Sequence, residues 1–291
     1  MSTKRVVAVF GATGAQGGSV VRALQKDGSF EIRAITRDVN SAKAKALGVT
    51  LVKGDQNDPD SLIPALTGAD AVFSLTNWDP PSSEYELGKR VAEAAKKAGV
   101  KQFVWSTLPN AKEESNGKYE LAHFTDKGKV NKIVEEAGFE HYTFVMPGFY
   151  FQNFLSTLSP RKGEDGVYHF YMPGKPTTVL SGVDIEDMGA VVLQVLKHPS
   201  KYHTKYIKVC GEELTQEQVV KVFEKVTEKK ALLTNGPFQG FPIANELNDM
   251  FYWFDEYGLY GKTVAIPGTQ VYPDISNFEQ FVKNKLLPIL Q

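Results

Sequence analysis

Short apolar runs and longer stretches with helical spacing take turns along the first 150 positions of the chain. The apolar runs predict strands at residues 5–10, 31–36, 50–53, 71–75, 102–105 and 141–145. The stretches between them predict helices near 18–26, 39–47, 60–66, 84–98 and 121–136. Asp58-Pro59 supplies a cap residue followed by proline at a first helical position, and Gly99 closes the 84–98 helix. Strands this short, joined by helical crossovers, predict an α/β fold: a doubly wound parallel sheet of Rossmann type.

The rhythm breaks after Gly148. Residues 158–178 carry Gly163, Gly166, Pro173, Gly174 and Pro176 and read as a loop-rich insertion. A helix over 190–196 and a strand over 205–209 then return to the sheet. Thr215-Gln216-Glu217-Gln218 matches a capping box that opens a helix reaching Thr227. A second late helix, near 245–257, holds Phe251, Tyr252, Trp253, Phe254 and Tyr257, and a third runs near 277–287. The predicted division is a Rossmann domain over 1–157, rejoined by 180–211. A smaller mixed α/β lobe, over 158–179 and 212–291, lies above the carboxyl ends of the strands, where open α/β sheets bind ligands.

Composition adds bounds. The 291 residues are 42% hydrophobic and 23% charged, ordinary values for a chain with a real core. Cys210 is the one cysteine, so no intrachain disulfide forms, and the apolar run before it predicts a packed thiol. No apolar run has membrane-spanning length, and Met1-Ser2-Thr3-Lys4-Arg5 passes straight into the first strand. These features point to a soluble chain of the cytoplasm, with the nucleus as a second location. The formal net charge is −1, without a basic stripe; Lys96-Lys97 and Lys229-Lys230 fall at predicted helix ends. That balance argues against direct DNA binding.

The chemistry starts at the first strand. Val6-Val7-Ala8-Val9-Phe10 runs into Gly11-Ala12-Thr13-Gly14-Ala15-Gln16-Gly17-Gly18 and then a helix. Strand, glycine turn and helix in that order suit a dinucleotide pyrophosphate, which needs bare backbone N–H groups and a positive helix end. Gly11 permits the tight turn, Gly14 admits the phosphates and Gly17 lets the helix pack on the sheet; Thr13, Ala15 and Gln16 complete the loop. An acid at the end of the second strand would favour NAD, but Arg37 stands there, and its planar fork suits a 2′-phosphate. NADP(H) is therefore the expected cofactor, although Asp38 follows and a solvated arginine is the alternative. Asp55 is a candidate for the adenine amino group, with Gln56 packing on the ring, and equally a cap for the turn it begins.

The glycine turn, Lys53-Gly54-Asp55, Ala122-His123-Phe124-Thr125-Asp126-Lys127-Gly128-Lys129-Val130 and Pro147-Gly148-Phe149-Tyr150-Phe151-Gln152-Asn153 together resemble the NmrA-like proteins. These are atypical members of the short-chain dehydrogenase/reductase superfamily, and the resemblance spans nearly the whole chain. It implies NADP(H) binding, with either redox sensing through contacts to transcription regulators or reduction of quinones and other apolar carbonyl compounds. Typical members pair a catalytic tyrosine with a lysine four residues on, plus a serine after the fifth strand. Here Lys127 matches the lysine, His123 stands in the tyrosine's place, and Ser106 or Thr107 occupies the serine region. Lys127 then holds the nicotinamide ribose, or Lys127 or His123 supplies a proton, or His123 merely packs. Tyr119 is close enough along the chain to be a further candidate. Leu75-Thr76-Asn77-Trp78 and Pro147, Gly148, Phe149 and Tyr150, which follow strands, are expected at the nicotinamide pocket. The aromatic groups at 238–241 and 251–257 read either as core or as the wall of an apolar substrate site. No metal-ligand spacing occurs among the five histidines.

Overall fold

The computed structural model describes residues 4–77 and 83–290. Its strands are β1 (Arg5–Val9), β2 (Phe30–Thr36), β3 (Thr50–Lys53), β4 (Ala71–Ser74), β5 (Gln102–Ser106), β6 (His141–Pro147), β7 (Phe149–Tyr150), β8 (Arg161–Lys162), β9 (Tyr168–Met172), β10 (Val179–Val183), β11 (Tyr206–Val209), β12 (Glu212–Thr215), β13 (Ala231–Asn235) and β14 (Ile266–Pro267). The helices are α1 (Ala15–Asp27), α2 (Ala42–Lys45), α3 (Pro59–Leu66), α4 (Glu84–Lys97), α5 (Ala111–Glu114), α6 (Ala122–Glu136), α7 (Ile185–Lys197), α8 (Pro199–Tyr202), α9 (Gln216–Thr227), α10 (Ala244–Tyr257), α11 (Gly268–Val271) and α12 (Phe278–Phe281).

An eight-stranded parallel sheet, in the order β14-β11-β6-β5-β4-β1-β2-β3, forms the centre. Its middle strands are covered on both faces, which is why β4 and β5 are buried at every position. Val20, Val21 and Leu24 of α1 and Met188, Val191 and Val195 of α7 cover one face. Leu62 of α3, Val91 of α4 and Val130 and Val134 of α6 cover the other, against Phe103, Trp105 and Phe144. The chain reverses its winding between β1 and β4, so a crevice opens beyond their carboxyl ends.

The expected doubly wound sheet is present, and it is larger than the sequence pattern indicates. The return over 180–211 reaches it through β11 alone; β10 lies instead in a small sheet between β7 and β12. Ile266 and Pro267, expected in the lobe, pair with β11 at the edge of the large sheet. The loop-rich insertion contains β8 and β9, and β9 pairs with β13 in a second small sheet. The helix expected over 39–47 shrinks to α2, because Asp38 gathers the Asn40 N–H and the Ser41 hydroxyl into a turn first. The last predicted helix is α-helical only over Phe278–Phe281, then widens over Val282–Leu286 and tightens over Leu287–Ile289. Pro288 explains the break: its ring clashes with the carbonyl four residues back and it has no N–H to donate. Asp58 holds the position before α3, but its side chain makes no capping bond.

Candidate functional site

The cradle follows from glycine geometry. Gly11 takes φ +62°, and the Gly14 N–H closes the turn by donating to the Gly11 carbonyl at 2.9 Å. Gly14 is also the residue before α1, so no side chain caps the first-turn N–H groups. A Cβ at Gly17 would fall 2.3 Å from the Gly11 carbonyl oxygen, which only glycine avoids. The positive end of α1 is thus brought up to the crevice with its backbone bare.

Two cavities meet over this turn, sharing Gly11, Thr13, Leu75 and Asn77. The smaller, about 160 Å³, is bounded by Thr36, Arg37, Gly54, Asp55, Gln56 and Asn57. Arg37 is exposed there, and among the described residues no hydrogen bond or ion pair engages its guanidinium. The Asp38 carboxylate accepts from the Asn40 N–H at 2.8 Å, and is thereby drawn into its own turn. Asp55 Oδ1 accepts from the Asn57 N–H at 2.9 Å, the turn-capping role anticipated as one of its two options. The Gln56 amide donates to the Leu75 carbonyl at 2.8 Å, which fixes the floor between the cavities.

The larger cavity, about 510 Å³, opens beyond β4, β5 and β6. It brings Ala15, Gln16, Thr76, Ser106, His123, Lys127, Pro147, Phe149 and Tyr150 together with the glycines of the turn. Trp78 lies outside the described residues. Gln16 Nε2 donates to Ser106 Oγ at 2.6 Å, and the Tyr150 hydroxyl donates to Gln16 Oε1 at 3.3 Å. Of the two hydroxyls at the end of β5, Ser106 therefore faces the cavity. Thr107 serves the scaffold: its hydroxyl donates to Asn131 Oδ1 at 2.7 Å and lies 3.2 Å from the Lys127 carbonyl. Trp105 Nε1 donates to the same carbonyl at 3.3 Å, which pins the Lys127 turn of α6 to β5.

Lys127 Nζ donates to the Thr76 carbonyl at 3.2 Å and forms an ion pair with Glu84 Oε1. The lysine side chain is 14% exposed and the Glu84 side chain 0%. Burial pulls the Lys127 pKa below the usual lysine range, while Glu84 acts in the opposite direction. Burial also raises the Tyr150 phenol, with the Glu84 charge adding to the effect. His123 Nδ1 lies 2.6 Å from Glu246 Oε1, so the residue in the tyrosine's place is tied to α10.

Tyr119 is not part of the site. It precedes α6, its hydroxyl donates to Glu256 at 2.8 Å, and its ring meets Trp253 edge-on. The aromatic run on α10 divides. Phe251 and Trp253 enter the core away from the cavity, whereas Phe254, in the same core, also lines the cavity with Ile243, Leu247 and Met250. Those four residues fall on one helical face, a spacing visible in the sequence but masked by the more conspicuous aromatics. Leu108, Phe124 and Leu259 extend the same apolar wall. Glu84 and Glu246 had no motif to announce them.

The comparisons with known proteins agree with this architecture. An NmrA-like family domain-containing protein of Dictyostelium discoideum is 32% identical over 95% of this chain and 96% of its own. An NmrA-like family domain-containing oxidoreductase of Penicillium ochrochloron is 33% identical over 78% of this chain and 75% of its own. The solved structure of NmrA, a negative transcriptional regulator, in complex with NADP superposes with a TM-score of 0.85, covering 99% of this chain and 97% of NmrA. NmrA in complex with NAD matches equally well; at 24% identity both likenesses concern the fold. The model of the NmrA-like family matches residues 3–282, and the chain belongs to that family.

Proposed function

We propose that the protein binds NADP(H) across the two cavities and acts as a redox sensor, signalling the oxidation state of the nicotinamide to a partner protein such as a transcription regulator. The observation that carries this reading is a complete dinucleotide cradle beside an incomplete catalytic dyad. The tyrosine's place is held by His123, bonded to Glu246, and the Lys127 ammonium is taken up by Glu84 and Thr76. The residues fit the cofactor. The bare amino end of α1 suits the pyrophosphate, Arg37 suits a 2′-phosphate, and Thr76, Asn77, Ser106, Pro147, Phe149 and Tyr150 would surround the nicotinamide half. NmrA, similar in fold, is known with NADP and with NAD.

Sensing requires unequal binding of the two redox forms. The apolar wall from α10 supplies a physical source, since it penalises the positively charged oxidised ring more than the neutral reduced one. A tenfold preference for NADPH needs only about 1.4 kcal/mol. With a net charge of −1, output through protein contact, in the cytoplasm or nucleus, is preferred over DNA contact. Calorimetric titration with NADPH, NADP⁺, NADH and NAD⁺ tests the reading. Equal dissociation constants for NADPH and NADP⁺ would sink the sensor, and no heat with any of the four would sink cofactor binding itself.

The same wall favours a second reading, an NADPH-dependent reductase of quinones or other apolar carbonyl compounds, in line with the oxidoreductase relatives. Bound NADPH would supply the hydride, and Lys127 or His123 would stand beside the substrate oxygen as proton donor. Substrate-dependent NADPH oxidation that disappears in a folded Lys127→Ala variant would establish it.

A further inference from the structure

Glu84 opens α4 and is fully buried, with its Oε1 on the Lys127 ammonium. Its Oε2 has no partner among the described residues. The neighbouring Ser83 caps α4 through the Glu86 N–H and donates to Asp126 Oδ2 at 2.9 Å, so α4 and α6 are joined at two adjacent points. A buried carboxylate is costly unless it answers another charge. Here the answered charge lies at the end of the cleft where a nicotinamide would sit.

We infer that Glu84 is a specificity-determining residue for the oxidation state of the cofactor: its carboxylate cancels the field of Lys127, so the positive ring of NADP⁺ is not repelled from the cleft. The inference rests on the NADP(H) reading above. Without Glu84, an uncompensated ammonium would oppose the oxidised ring and leave the neutral reduced ring nearly unaffected. The unused Oε2 leaves part of the carboxylate's field available to that ring as well.

Glu84→Gln, which keeps an acceptor for Lys127, tests this by titration with NADP⁺ and NADPH. The expected result near pH 6.5 is a rise of about tenfold in the NADP⁺ to NADPH ratio of dissociation constants, a change that corresponds to roughly 1.4 kcal/mol. The excess shrinks as the pH is raised, because the unpaired, buried Lys127 then releases its proton. The other groups around it are Asp126 and His123 on α6 and Tyr150 on β7. A purely structural role for Glu84 would weaken both forms alike and leave the ratio flat with pH. Lys127→Met gives the opposite arm. With the carboxylate left alone, the ratio falls below that of the unmutated protein, and this arm stands even where Glu84→Gln does not fold. A folded variant that binds both forms in the unmutated ratio overturns the inference. If the unmutated protein binds neither form, the cofactor reading fails and the inference falls with it.

Discussion

At the scale of single residues, the sites that sequence alone indicates are those where chemistry leaves little choice of residue type. Gly17 is an example, because any Cβ there meets the Gly11 carbonyl. Arg37 is another, because the end of the second strand is where an acid or a base decides between dinucleotides. Glu84 was illegible for the opposite reason: a lone glutamate in a helix carries no pattern, and its meaning comes from Lys127, 43 positions later. Arg37→Ser is expected to raise the dissociation constant for NADPH and leave that for NADH unchanged. The lost charge-assisted bond is of the order of 1.5–3 kcal/mol, or about one to two powers of ten. Parallel titrations with the two reduced cofactors check it, and equal loss for both would show that Arg37 does not meet the 2′-phosphate. Cys210 allows a prediction in pH. Burial, with Glu213 adding to it, pushes its thiol up to about 12. At pH 8 the native protein should react with iodoacetamide roughly a thousandfold more slowly than a free thiol. The rate should keep climbing beyond pH 9, where an ordinary thiol levels off. Between those two pKa values the unfolded chain gives up a proton that the folded chain keeps, so the thiol's contribution to stability falls as the pH rises. Mass-spectrometric counting of the adduct, with a urea-unfolded control, provides the measurement.

At the scale of elements, the six strands of the amino-terminal half were legible almost to their ends: β4 and β5, buried on both faces, read as unbroken apolar runs, and β2 and β3 nearer the edge as short runs bounded by polar turns. The small sheets were not legible. Residues 168–172 and 179–183 are interrupted by Pro173, Gly174 and Pro176, and their partners lie far along the chain. Helix α10 was legible as a helix, while the face it turns to the cavity was not. One contact between elements explains how that helix is held. No side chain of α6's own caps its start at Leu121; Glu246 of α10 instead accepts from the His123 N–H at 3.4 Å and meets the His123 ring. Glu246→Ala removes both interactions and is expected to destabilise the fold by about 0.5–2 kcal/mol, the usual range for a lost cap. Glu246→Gln, which keeps an acceptor, should lose less. Urea midpoints of the two variants check the order, and equal midpoints would show that the link does not act as a cap.

At the scale of the whole molecule, the question is whether the predicted Rossmann domain and lobe are separable. One core cluster argues that they are not: Phe124, Met146 and Phe149 from the predicted Rossmann stretch pack with Phe223, Phe251, Trp253 and Phe278 from the predicted lobe. β14 completes the edge of the large sheet from within the carboxyl-terminal stretch, and Lys285 pairs with Asp184 at the start of α7. Removing the lobe would expose both the aromatic core and the edge of β11, and the lobe by itself would lose the Rossmann residues that complete its core. The chain should therefore unfold in a single cooperative transition, although its length would allow two. Tryptophans stand in the right places to test this, Trp105 within the large sheet and Trp253 within the shared cluster, both fully buried. In a Trp78→Phe background, Trp105→Phe and Trp253→Phe variants each leave one reporter, and fluorescence across a urea series should give coincident midpoints after correction for each variant's stability by far-ultraviolet dichroism. A lobe signal lost well before the sheet signal would mean that the two halves hold together only loosely. In that case a cofactor bound across the cleft would stabilise their contact more than either part, and a saturating NADPH titration would draw the two midpoints together.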